Sequence, residues 1–235
     1  MDAVLVGLLC DERKRLLADA NRARNRGRHR TAIALYKRIL LEEPHNQHVA
    51  LRLAPLLAAR CETFEAWQLF RAAARALLRA GRHEECLVAL REACRALPLE
   101  HDAWRFRADL ELKLGRDQVA YETLLEGRQH FRSPGTRAQA IGLLRRARAI
   151  EPWDPEVCLD LARLYARTDL GTATRDLLGS LSHQTHGWSR CRVLFLHWRL
   201  TLSFRDLWTW LRAVAQELRG ADPESGPRFG ETPWA

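Results

Sequence analysis

Signatures of catalysis, metal binding and membrane insertion are all missing from this 235-residue chain. No apolar run approaches the roughly 18 residues that a helical span needs. The N-terminal AVLVGLL follows Asp2 rather than basic residues, so it reads as a poor signal peptide. There is no GxSxG, P-loop, GxGxxG or HExxH, and Ser, His and Asp fall into no nucleophile arrangement, which argues against an enzyme. The six cysteines, Cys10, Cys61, Cys86, Cys94, Cys158 and Cys191, show no CxxC and no metal-ligand spacing, and His183 and His186 lack a Cys or carboxylate cluster beside them. We therefore expect no metal, no cofactor, and reduced cysteines packed as small hydrophobes in a cytoplasmic protein. Glycine and proline are few, at 13 and 9, and that scarcity makes their positions informative.

Those positions are periodic. Gly27, Gly81 and Gly135 stand 54 residues apart, and so do Pro44, Pro98 and Pro152. Apolar columns keep the same interval: Ala32, Cys86 and Ala140; Ile33, Leu87 and Ile141; Tyr36, Leu90 and Leu144; Ile39, Ala93 and Ala147; Ala54, Ala108 and Ala162; Leu56, Leu110 and Leu164. Self-similarity on this scale marks stacked helical units, none of which can bury its apolar side alone. Gly suits a helix end that needs a left-handed residue, and Pro ends the helix before it. Two helices thus lie between one tight turn and the next, with a third closing the unit. A hydrophobic content of 47% suffices for a continuous core.

The order of a Gly turn, a small residue, an aromatic or large residue, a second small residue and then Pro resembles the tetratricopeptide repeats. Gly27, Ala32, Tyr36, Ile39 and Pro44 carry it, as do Gly81, Cys86, Leu90, Ala93 and Pro98, and Gly135, Ala140, Leu144, Ala147 and Pro152. Trp104, Ala108, Gly115, Ala120 and Leu124 form a further unit at the family's usual spacing of about 34 residues. The resemblance covers residues 12–168 and implies an all-α fold, a right-handed α-α superhelix of antiparallel helix hairpins whose concave face binds peptides or proteins. A period of 54 is 34 plus 20, room for one added helix. Residues 64–80 then read either as the second helix of a unit begun at 47 or as the first helix of one ending at Pro98.

In order, residues 1–11 are an apolar cap or docking segment, and helices are predicted at 12–26, 29–42, 47–60, 64–80, 83–96, 101–114, 117–131, 137–150 and 155–167. Residues 169–219 form degenerate capping helices: a short helix at 172–181, a polar loop at 182–189, then 191–204, whose alternating apolar residues suit a strand although its neighbours and register favour helix. Trp188, Trp198, Trp208 and Trp210 cluster here, either to cover the last open face of the array or to offer an aromatic surface to a partner or to a membrane interface helped by Arg199, Arg205 and Arg212. The tail, 220–235, is rich in Gly, Pro and charge and is expected to be disordered, with Phe229 and Trp234 as a short docking motif.

Charge supplies the candidate sites. The formal net charge is +9, and only three of 38 basic residues are lysine. Residues 13–30 hold eight basic groups against Asp19 alone, so Arg24, Arg26 and Arg28 would draw acidic partners or nucleic acid. Arg71, Arg75 and Arg79 fall one turn apart on a single helix face. In the resembled family the first helix of each unit lines the groove, and some members grip a carboxylate there with Lys, Arg and Asn. Asn21, Arg71 and Arg75 would take such roles, although Leu17 stands where a basic residue would be expected. The expected function is a non-enzymatic scaffold or adaptor that binds an acidic protein segment through Asn21, Arg24, Arg26, Arg28, Arg71, Arg75 and Arg79, with Trp198, Trp208 and Trp210 as a second surface. Nucleic-acid binding by the basic N-terminal end is the alternative, and membrane attachment through the Trp-rich region the third reading.

Overall fold

The computed structural model describes the backbone of residues 2–168 and 171–220 and the side chains of 12–168, 172–200 and 202–219. Among them are twelve α-helices, one 3-10 turn and no strand. They form two compact units, Met1–His130 and Phe131–Ala235.

The first unit holds α1 (Asp2–Asn25), α2 (His29–Glu42), α3 (Gln47–Ala58), α4 (Thr63–Arg79), α5 (His83–Ala96), α6 (His101–Lys113) and α7 (Asp117–Arg128). Two kinds of connection join them, and each has a local cause. After α1, α3, α4 and α6 the chain closes by one bond pattern. At Gly27 the Arg28 N–H donates to the Ala23 carbonyl and the Gly27 N–H to that of Arg24; Cys61, Gly81 and Gly115 repeat this with distances of 2.9–3.0 Å. These pairs satisfy carbonyls that a helix end would otherwise leave open, and they require a left-handed residue. Gly27, Gly81 and Gly115 each have φ +71°, where a glycine meets no Cβ penalty. Cys61, at φ 64°, takes the same conformation with a side chain. Its position, 34 residues after Gly27, places α3 and α4 in one hairpin, and α4 packs more extensively on α3 than on α5. Residues 64–80 therefore pack chiefly against the helix begun at 47.

Proline makes the other connection. Glu43, Leu97 and Glu151, each ahead of its Pro, lie at φ −129°, −131° and −118°, the extended region that Pro imposes on its predecessor. Two residues beyond each Pro comes a side-chain cap: Asn46 accepts from the Val49 N–H, Glu100 from that of Asp102, and Asp154 from those of Glu156 and Val157.

The second unit contains the 3-10 turn Pro134–Thr136, α8 (Arg137–Ile150), α9 (Pro155–Ala166), α10 (Gly171–Gln184), α11 (Gly187–Thr201) and α12 (Phe204–Gly220). Helix starts at 29, 83 and 137, at 47, 101 and 155, and at 63, 117 and 171 fall 54 residues apart. Every residue of the six apolar columns is buried.

Three expectations need correction, and the helix favoured for 191–204 is present. Gly135 is not left-handed but sits in the 3-10 turn, because the chain leaves α7 through Gln129–Ser133 rather than through a tight hairpin. The first helix begins at Asp2 instead of 12, so 2–11 is no separate segment of backbone, and the side chains of 1–11 lie outside the described residues. The polar stretch 182–189 is mostly helical: Ser180, Ser182 and Thr185 direct their hydroxyls at the carbonyls of Leu177, Gly179 and Leu181, which lets a polar run stay in a helix. The stretch 191–204 is helix up to Thr201, and Leu202, at φ 50°, ends it with its N–H on the Trp198 carbonyl. Residues 221–235, and with them Phe229 and Trp234, lie outside the described residues.

Candidate functional site

Helix α4 sets the geometry of the arginine stripe. It buries Ala66, Trp67, Phe70, Ala73, Ala74 and Leu77, and that inward face leaves Arg71 half-buried and Arg75 and Arg79 exposed. The three do not share one environment. Arg71 donates to the Gln68 side-chain oxygen and, with Trp67 and Arg75, borders a hollow whose far wall is Asp102, Arg105, Phe106 and Asp109 of α6. Carboxylates of this chain thus already face Arg71. Arg75 and Arg79 also border a different hollow, rimmed by Pro44, His45, Asn46 and Gln47 at the start of α3 and floored by Ala50, Leu69, Ala72, Ala73 and Ala76. Small side chains on α4 make this floor, and the two guanidinium groups stand at its edge.

Asn21 does different work from that expected. Its side-chain oxygen accepts from the Tyr36 hydroxyl at 2.8 Å and from Arg52 Nη1 at 2.9 Å, which ties α1 to α2 and α3. Arg24, Arg26 and Arg28 are all exposed at the end of α1. Burial raises the Glu92 carboxyl of α5 above its ordinary range, and Arg24 and Arg95, both near it, offset only part of that rise. Arg28 and Arg30 meet Arg60, from the α3–α4 turn, around a hollow that also takes in His29 and Thr31. Sequence reasoning missed Arg60; the signal was its place 34 residues after Arg26, on the neighbouring turn of the same kind.

The tryptophans separate in the same way. Trp198 and Trp210 stack with ring centroids 5.9 Å apart and planes 6° from parallel, and Phe195 leans on both at 5.7 and 5.3 Å. Cys191, Leu194 and Ala213, with Trp188 and Val214, complete a core between α11 and α12. These rings cover apolar surface. Trp208 points outward, with the Arg212 guanidinium 6.0 Å from its ring centre.

The deepest polar cluster belongs to the core. Glu111, 1% exposed, accepts from the Thr123 hydroxyl at 2.7 Å and from Arg107 Nε at 3.0 Å, and Arg107 also reaches Glu126 at 3.5 Å. Burial pushes the thiol of Cys86 up to about 11 and that of Cys94 to about 12. Among the described residues no group of three His, Cys, Asp or Glu side chains could hold a metal ion, and no helix is long and apolar enough to cross a membrane.

Comparison with known proteins follows the same lines. Family models described as tetratricopeptide repeat match residues 67–110 and 131–192. No curated protein sequence matches the chain. Among solved structures, a tetratricopeptide repeat protein from Parabacteroides merdae is similar at 12% identity, over 91% of this chain and 95% of its own, with a TM-score of 0.31. PilF of Pseudomonas aeruginosa is similar at 19% identity, over 89% of this chain and 91% of its own, with a TM-score of 0.30. Yeast Tom70 is similar at 12% identity, over 74% of this chain and 44% of its own, with a TM-score of 0.29. With two matches to the repeat, four left-handed turns of one pattern and buried residues throughout the repeat columns, the chain carries tetratricopeptide repeats, matched over residues 67–110 and 131–192.

Proposed function

We propose that this chain is a non-enzymatic scaffold that captures an acidic protein segment on the first unit, at the hollow bordered by Arg75 and Arg79. Tetratricopeptide repeats serve in general as protein-interaction scaffolds, and that class is the starting point. The observation that carries the finer reading is the alanine-rich floor beside two exposed guanidinium groups. A floor of this kind takes an apolar side chain, and a carboxylate next to that side chain meets charge-assisted, bidentate donors worth about 1.5–3 kcal/mol each where partly desolvated. Arg71, already facing Asp102 and Asp109, contributes less. The Arg24, Arg26 and Arg28 cluster speeds encounter. Reduced, buried thiols suit a cytoplasmic setting.

The test is selection of short peptides from a random library on the purified chain, followed by titration of the winners. Acidic peptides with an adjacent apolar residue should emerge, and the Arg75→Ala/Arg79→Ala variant should bind them at least about tenfold more weakly, about 1.4 kcal/mol, at an unchanged melting temperature. Selected peptides without acidic residues, or full affinity in the double variant, would remove the site from this hollow. One observation supports a second reading: the meeting of Arg28, Arg30 and Arg60 on adjacent turns makes a compact basic patch suited to phosphate. If a lysate pull-down loses its material after nuclease treatment, and loses it again with Arg28→Ala/Arg60→Ala, that reading takes over.

A further inference from the structure

We infer that α12 docks the second unit onto an anionic bilayer surface, along the side of the helix that faces away from α11. One side of α12 is accounted for. Trp210, Ala213 and Val214 pack into the core with α11, and a Glu217 carboxylate oxygen lies 3.8 Å from where a Cβ on Gly187 would stand, so Glu217 points inward as well. The opposite side carries Phe204, Trp208, Leu211 and Leu218, which are 80%, 57%, 43% and 63% exposed. At 100° per residue these four, with Ala215 among them, lie within one arc of about 80°. The stripe is about 21 Å long at 1.5 Å per residue. No described residue covers it.

The charge beside the stripe selects the occupant. Arg205, Arg212 and Arg219 recur every seven residues and fall along one edge of the apolar arc, and Arg212 lies over the Trp208 ring. The helix's two carboxylates, Asp206 and Glu217, fall on the other side of the cylinder. A second copy of the chain, meeting this one face to face in antiparallel fashion, would bring two arginine rows together with no carboxylate between them. A partner helix is ordinarily seated in a groove between two helices, and this surface is the convex side of one. A lipid headgroup layer needs no groove. It admits aromatic and aliphatic side chains to a depth of about 5–10 Å while guanidinium groups stay at phosphate level. Leu202, 78% exposed at the left-handed end of α11, extends the apolar surface next to Phe204.

Vesicle flotation of the full chain tests the inference. Vesicles of phosphatidylcholine with about one third phosphatidylglycerol are compared with phosphatidylcholine alone, at low and high salt. With each surface arginine contributing about 1 kcal/mol, three give roughly a hundredfold preference for the anionic vesicles, reduced by salt. Arg205→Gln/Arg212→Gln/Arg219→Gln should abolish the preference. Phe204→Ser/Trp208→Ser should lower binding to anionic vesicles at least about tenfold, with the melting temperature kept, since both side chains are exposed. Absence of flotation, equal flotation on neutral vesicles, or full binding by the Phe204→Ser/Trp208→Ser variant would each overturn the inference. So would a dimer in size-exclusion chromatography that the same double substitution dissociates, because a second copy would then be the cover.

Discussion

Replacing Gly127 by Ala should destabilise the protein, although the same change in most helices stabilises. Gly127 lies inside α7, where alanine gains about 0.8–1 kcal/mol over glycine through backbone entropy alone. A Cβ there would stand 2.8 Å from two ring carbons of Trp104 and 3.1 Å from its Cβ, against ordinary contacts of roughly 3.5–4 Å. Trp104 has little freedom to yield. It is almost completely buried, its indole N–H donates to the Pro98 carbonyl at 3.0 Å, and its ring stacks on His130 at 5.4 Å. Overpacking of a closed core costs about 1–3 kcal/mol, and displacement of the indole would add the loss of a buried hydrogen bond at about 1 kcal/mol or more. Subtracting the propensity gain leaves a net loss of about 1–3 kcal/mol. Gly179 is the control: it is also helical, in α10, with no atom within 4 Å of an added Cβ, so Gly179→Ala should gain up to about 1 kcal/mol. Urea unfolding followed by far-ultraviolet circular dichroism reads both. A Gly127→Ala variant as stable as Gly179→Ala would show that Trp104 is free to move, and the packing assigned to the α6–α7 hairpin would be wrong.

Three further outcomes follow from the geometry. Cys61→Gly removes a side chain from a left-handed residue, which costs about 1–2 kcal/mol for an L-residue, and gives back part of that as unfolded-state entropy, so a net gain of about 0.5–1 kcal/mol should appear in urea unfolding. Glu111→Ala strands Arg107 and the Thr123 hydroxyl in the interior and should cost about 2–4 kcal/mol in the same measurement; a loss under about 1 kcal/mol would mean that water satisfies the pair. Among Cys61, Cys86, Cys94, Cys158 and Cys191, a thiol reagent at pH 8 with peptide mapping should modify Cys61 alone in the folded protein, because the others are buried and burial raises their thiols above the ordinary range. Rapid labelling of Cys94 would contradict that burial.

Much of the fold was legible because repeated packing writes itself into columns. A position such as Ala32, Cys86 or Ala140 is small in every copy since another helix approaches it each time, and all three are completely buried. Letters were less reliable than spacing. Cys61 fills a glycine's conformation, so a search for Gly passed over the turn that resolves the α3–α4 pairing, while Gly135 carries the letter without the conformation. The site was legible in part. Exposure of Arg75 and Arg79 followed from the helical period, but the division of the stripe between two hollows depends on how α3 and α6 pack beside α4, which that period does not contain. Asn21 was given a gripping role because its chemistry suits a ligand, yet that same chemistry suits Tyr36 and Arg52, which bond its side-chain oxygen within the chain. Counting tryptophans located the aromatic region without telling Trp198 and Trp210, which face each other, from Trp208, which does not.

The added helix has a topological consequence. Each short turn reverses the chain, so a period with an even number of helices returns every copy in its original sense, whereas a period of three returns it upside down. Within the first unit α2 and α5 share one pattern, Ala32 with Cys86 and Tyr36 with Leu90, yet three reversals separate them and they run in opposite directions. Their positive N-terminal poles therefore emerge at opposite rims. A ladder of identical side chains, the usual means by which a repeat protein reads an extended ligand, cannot form at this interval, since alternate rungs would fall on opposite rims. Arg71, Arg75 and Arg79 have Leu17, Asn21 and Asn25 as their counterparts in α1, and the mismatch is what such a topology permits: a binding surface here is built on one helix at a time.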